Sequence, residues 1–248
     1  MRRVWQAAAF LFAVFFFSLI YKLPAKFVYQ QFAKDSPVQL VGVSGSIWSG
    51  HAEQIVTQQL SLERLDWKLS PLSLLLGEVD IDWTLDDSAA LLSGEIILSS
   101  SQQSLKNTRG HIDLLAMAQR LPQQEILLGG IVQLDIAKLD LEQNKITNAV
   151  GKINWNHAEL LSPENIVLGG FKTELSANAG ELIMQLSDTG GAASLSGNAS
   201  LSAHGKFKFS MQIGVRDTSA TGLLGAFNQL GPTDENGKVK LSGREDLF

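Results

Sequence analysis

Residues 206–215 read KFKFSMQIGV, two lists of side chains threaded through each other. Phe207, Phe209, Met211, Ile213 and Val215 form one list, and Lys206, Lys208, Ser210, Gln212 and Gly214 form the other. A period of two sends the lists to opposite faces of an extended strand, whereas a helix would scatter both around its axis. The segment is therefore a strand with one apolar and one wet face.

The same period recurs on either side. Val79, Ile81, Trp83 and Leu85 alternate with Asp80, Asp82 and Thr84, and Val132, Leu134 and Ile136 alternate with Gln133 and Asp135. Leu60, Leu62, Leu65, Trp67 and Leu69 alternate too, with a phase slip at Glu63–Arg64 that a β-bulge would repair. Turn-forming residues punctuate these runs at Asp86–Asp87, Gly129–Gly130, Asn144, Gly169–Gly170, Gly190–Gly191 and Gly231–Pro232, and read as hairpin turns or tight connections. Helical period survives in AKFVYQQFAKDSPVQL (25–40), with a stop marked by Asp35–Ser36 and Pro37, in IDLLAMAQRLPQ (112–123) and in ATGLLGAFNQLGP (220–232), each worth a short helix. Short connections favour antiparallel pairing, since parallel crossovers need about a dozen residues. The expectation is an all-β body of roughly twelve to fifteen strands. It is either a curved sheet open as a trough or a closed sandwich, because every one-sided strand needs something against its apolar face.

Residues 4–21, VWQAAAFLFAVFFFSLIY, carry no charge. As a helix they extend about 27 Å, enough for a bilayer core. Arg2 and Arg3 before the run place the N-terminus in the cytoplasm, and Tyr21, Phe27 and Tyr29 after it suit the far interface. A cleaved signal peptide fits less well. The run exceeds the usual apolar region of 7–15 residues, and a cut after Ala25 would leave Leu23 at the third position before it. The expected organisation is a cytoplasmic tail (1–3), a transmembrane helix (4–21), a juxtamembrane segment (22–37) and an extracytoplasmic β-rich domain (38–248). GSIWSGHAE (45–53) and GKINWNHAE (151–159) are similar enough to suggest two like halves, 38–125 and 126–243.

Composition limits the chemistry. The net charge is −5, and without the four basic residues flanking the apolar run the remainder carries about −9, a poor partner for nucleic acid. There is no cysteine, so disulfides, thiolate metal sites and thiol nucleophiles are absent. His51 and Glu53, like His157 and Glu159, are two apart and would share a strand face, but neither pair belongs to a metal-ligand motif. No nucleophile elbow, phosphate loop or dinucleotide fingerprint is present. A non-enzymatic protein with no cofactor and no metal is expected.

Several segments together resemble a known family. YKLPA (21–25), LVGVSGSIWSG (40–50), LDWKLSPLSLLLGEV (65–79), INWNHAELLSP (153–163) and LGGFKTELS (168–176) are similar, in order and placement, to the type II secretion system protein N family. The resemblance implies a single-pass inner-membrane protein with its C-terminal domain in the periplasm. It implies an accessory role in exporting folded proteins through the outer membrane, by contact with inner-membrane platform components and the secretin. It implies no catalytic residues. Gly45, Trp48, Gly50, Trp67, Pro71, Trp83, Trp155 and Pro163 stand as structural, family-like positions. The one-sided β body also looks like the curved sheets of bridge-type envelope lipid-transport proteins. Envelope lipid binding in a hydrophobic β-trough is therefore the alternative expectation.

Overall fold

The computed structural model describes residues 22–32, 36–121, 126–162, 165–216, 234 and 238–246. The apolar run 4–21, the stretch 220–232 and Pro163 lie outside them. Among the described residues no helix is long and apolar enough to cross a membrane.

The body is all-β. Helix α1 (Ala25–Phe32) leads into β1 (Gln39–Val41), β2 (Ser44–Gly45), β3 (Ser49–Ala52), β4 (Gln54–Val56), β5 (Ser61–Leu62) and β6 (Arg64–Leu69). A short helix α2 (Pro71–Leu75) precedes β7 (Val79–Asp87), β8 (Ala90–Leu98) and β9 (Gln102–Asp113). Helix α3 (Leu114–Ala118) precedes β10 (Leu127–Glu142), β11 (Lys145–Ser162), β12 (Ile166–Asn178), β13 (Glu181–Gly190), β14 (Ala193–Ser202), β15 (Lys206–Val215) and β16 (Lys238–Asp246). From β6 to β16 each strand pairs with the next, and β3 then β2 extend the order to thirteen antiparallel strands. A separate sheet of three, ordered β1-β4-β5, aligns Leu40 with Ile55 and Ile55 with Leu62. The expected choice between sandwich and curved sheet falls to a single large sheet. β9 and β10, on either side of residues 122–125 in the chain, pair directly.

The register carries the alternation of single strands across the whole sheet. Paired residues share a face, so one row runs Ala52, Leu65, Leu85, Leu92, Gly110, Leu134, Ile153, Thr173, Leu186, Gly197, Met211, Leu241. It contains no charge, and none of its members is fully exposed. The adjacent row on the other face runs Ser44, His51, Asp66, Thr84, Ser93, Arg109, Asp135, Lys152, Glu174, Gln185, Asn198, Ser210, Ser242 and is polar throughout. From Ser93 onward every member of that row is exposed. The apolar row is mostly half-buried, not sealed, and Val239 is the large side chain with under 2% exposure among the described residues. One face is wet, and among the described residues the other is an apolar surface without a full second layer.

Such a wide sheet curls. Cα atoms of β11 and β13, and of β12 and β14, come within 8 Å of each other. Two flat interstrand spacings of roughly 4.8 Å would hold them about 9.6 Å apart.

Three sequence expectations change here. Gly129–Gly130 and Gly169–Gly170 are not hairpin turns. They lie inside β10 and β12 at register shifts, beside a further shift at Trp155–Ala158 in β11. Together these make a crease across neighbouring strands, because an extra residue in a strand bends it locally. At Gly130, φ is +100° and a Cβ would sit 2.5 Å from the His157 carbonyl oxygen. The strands touch there because no side chain intervenes. The phase slip at Glu63 is not a bulge either: β5 belongs to the small sheet and β6 to the large one, so the chain changes sheets at that residue. The turn read at Asp86–Asp87 lies at Ser88–Ala89, with Asp87 opposite Ala90 as the last pair of the β7–β8 hairpin. The β10–β11 hairpin turns through Gln143 and Asn144, at φ 46° and 60°, as the strand twist prefers.

Candidate functional site

The curl and the crease border an apolar concavity. An apolar cavity of about 510 Å³ is lined by Leu114 from α3, Leu128 and Val132 from β10, Ile153 and Trp155 from β11, and Leu168, Phe171 and Thr173 from β12. Leu186 of β13, Ala193, Ser194 and Leu195 of β14, and Ile213 of β15 complete the lining. Six consecutive strands thus face one space, as a trough requires. Trp155 holds its floor. The indole Nε1 donates to the Gly129 carbonyl oxygen at 3.0 Å across the crease, and the ring packs against Phe171 with centroids 5.5 Å apart. Beyond the crease, buried Ile166 and Ala193 gather Leu160, Leu168 and Val215, which closes that end. The outer side of the same crease is a polar hollow lined by Gln133, Asn156, His157, Glu159 and Thr189 among others.

The sequence-selected residues fall into two groups. Gly45, Trp48, Gly50, Trp67, Pro71 and Trp83 cluster at the N-terminal end of the sheet. Gly45 pairs with Gly50 in the β2–β3 hairpin, whose connection carries Trp48, and Gly50 faces Trp67 across β3–β6. A Cβ on Gly50 would lie 2.5 Å from the Trp67 ring, so that glycine is where the indole crosses the backbone. Trp67 pairs with Trp83, whose buried Nε1 has no hydrogen-bond partner among the described residues. Pro71 occupies the first turn of α2. Trp155 belongs to the trough, with four strands between its own and that of Trp67.

His51 and His157 sit on the polar side. His51 Nε2 is 3.0 Å from the Ser44 hydroxyl, its neighbour in the polar row. Its pairing partner on β6 is Asp66, which the Arg64 guanidinium, 2.7 Å away, holds below the usual carboxylate range. Among the described residues no three His, Asp or Glu side chains gather as a metal site.

The tightest polar cluster serves the fold. The Asp87 side chain is fully buried, accepting from the amides of Ala89 and Glu63 and from Arg120 Nη1 at 2.6 Å. Burial raises its pKa, but the two amides and the guanidinium outweigh burial and leave it lowered. Arg120 also reaches Ser88 and the Ser61 carbonyl, fastening the end of α3 to both sheets.

Sequence reasoning missed most of the trough. Leu168 and Phe171 carry a weak signal, since the register shifts in β12 interrupt the alternation that would mark them. The apolar character of Leu72, Leu75 and Leu76 is visible in the sequence, and their exposure is not.

The chain is a curled, single-layer antiparallel sheet with a wet face and an apolar trough. A family model described as type II secretion system (T2SS), protein N matches residues 36–242. The type II secretion system protein N of Aeromonas hydrophila is 24% identical over 213 residues, covering 84% of each chain. That of Klebsiella pneumoniae is 24% identical over 238 residues, covering 92% of this chain and 90% of the relative. That of Vibrio cholerae is 34% identical over 65 residues, 26% of each chain. No solved structure matches. The chain belongs to the type II secretion system protein N family.

Proposed function

We propose that this protein is an accessory inner-membrane subunit of the type II secretion system, non-enzymatic and without a cofactor, anchored by residues 4–21 with its β domain in the periplasm. It supports export of folded proteins by contacts with other components of the machine, the inner-membrane platform or the secretin. Family membership over residues 36–242 is the observation that carries this reading.

The sheet edge supplies a means. β16 pairs with β15 on one side and is the last strand in the order, nine residues long. An edge strand offers unpaired backbone donors and acceptors to a partner strand. Photo-crosslinking from Lys240 or Ser242 at native expression tests the reading. Adducts with another secretion-system subunit are expected; an abundant, folded protein that yields none would contradict it.

The cavity favours a second reading, envelope lipid binding. An apolar cavity of about 150 Å³ holds one six-carbon ring, so 510 Å³ corresponds to roughly twenty carbons, one long acyl chain. Native mass spectrometry after gentle extraction separates the readings: stoichiometric lipid favours the trough as a binding site, and a lipid-free protein removes it.

A further inference from the structure

We propose that helix α2 and the turn after it rest in the surface of the lipid bilayer, giving the β domain a second, monotopic membrane contact. The inference rests on residues 4–21 being a membrane anchor and adds a contact that the anchor alone does not require.

PLSLLLG, residues 71–77, carries no charge, and its leucines point outward. Leu72 is 73% exposed, Leu75 83% and Leu76 80%. Three adjacent leucines this open are costly in water and mark an interaction surface. Their location selects the occupant. The apolar run ends at Tyr21, and from there Leu23 accepts a backbone hydrogen bond from Ile47 at 3.1 Å while Pro24 bridges to Ser46. Trp48, two residues from Ser46, accepts from Leu69 at 2.8 Å, and α2 starts at Pro71. Two interstrand steps of roughly 4.8 Å each therefore separate the end of the anchor from the start of the leucine helix. Held so close to the point where the chain leaves the bilayer, α2 lies near its surface.

The neighbours have the chemistry of an interface. Trp48 lies with Lys22 and Pro24 around one hollow, Lys22 and Lys26 are exposed, and Phe27 on α1 is 63% exposed. Aromatic rings and lysines flanking inserted apolar side chains are the usual arrangement at the boundary between headgroup and acyl chain. The β domain is acidic as a whole, so apolar insertion, not attraction to anionic headgroups, makes the contact.

The absence of cysteine makes the test clean. Single cysteines at Ser18, Leu75, Leu76 and Ser242 carry a fluorophore in the full chain, reconstituted into vesicles of phosphatidylethanolamine and phosphatidylglycerol. A nitroxide near the headgroup end of the acyl chain reports lipid contact, and aqueous iodide reports water. Labels at 75 and 76 are expected to be quenched by the lipid nitroxide as strongly as the label at 18, while the label at 242 responds to iodide. Lipid quenching at 18 with iodide quenching at 75 and 76 would overturn the contact and leave the anchor standing. Labels at 75 and 76 dark to both quenchers would mean a protein cover and overturn it as well. Iodide quenching at 18, 75 and 76 alike would overturn both.

Discussion

Asp87 shows at the scale of one residue how a one-layer sheet is held. A carboxylate taken fully out of water persists because two amides and Arg120 are aimed at it, and removing one partner of such a pair leaves the rest unsatisfied. Asp87→Asn is expected to cost about 2–4 kcal/mol at neutral pH, read by denaturant unfolding. Asp87, Asp140 and Asp188 all titrate below their ordinary value in the folded chain. Their stabilisation is complete above the unfolded-state pKa of roughly 4 and is lost as pH falls through the lower folded values. The gap between Asp87→Asn and the parent should accordingly shrink on that acid limb; a gap independent of pH would refute the pairing. His51 sits in the polar row beside Ser44, with no chemical step assigned to it. His51→Ala should keep secretion near the parental level, and a severe loss at normal abundance would show that the imidazole acts.

Individual strands were legible in the sequence, and their assembly was not. The alternation in Lys206–Val215 follows from a local constraint, the pleat, and β15 has those bounds. The glycine pairs are ambiguous because a bulge and a hairpin ask the same thing of the backbone, a positive φ or a close approach. Only the register between distant strands tells them apart, and Gly129–Gly130 and Gly169–Gly170 belong to the bulges. Likewise the slip at Glu63 is a change of sheet, which no local pattern records. The trough was illegible for a related reason: a half-covered face and a sealed one produce the same alternation. Its floor depends on the crease, so Gly130→Val should be expensive. It places a branched side chain at φ +100° against the carbonyls of His157 and Asn156. A loss of about 2–4 kcal/mol in denaturant unfolding is expected, and wild-type stability would mean that β10 and β11 do not meet so closely.

Seen whole, the molecule is a sheet of thirteen strands whose apolar and polar rows each continue across nearly its full width. That continuity comes from pairing consecutive strands without crossovers, which lets one binary pattern repeat from β6 to β16. Among the described residues it leaves β16 as a nine-residue edge strand, an apolar trough and a leucine helix near Leu23, just past the apolar run 4–21. These are the features on which the proposed role by contact rests, in a chain that belongs to the type II secretion system protein N family. The proposed tether puts the β body beyond the inner membrane, and a single cysteine tests that most directly. Ser242→Cys, exposed on the polar face, should react with a membrane-impermeant maleimide in intact spheroplasts. Reaction confined to lysed cells would put the β body on the cytoplasmic side and contradict the account.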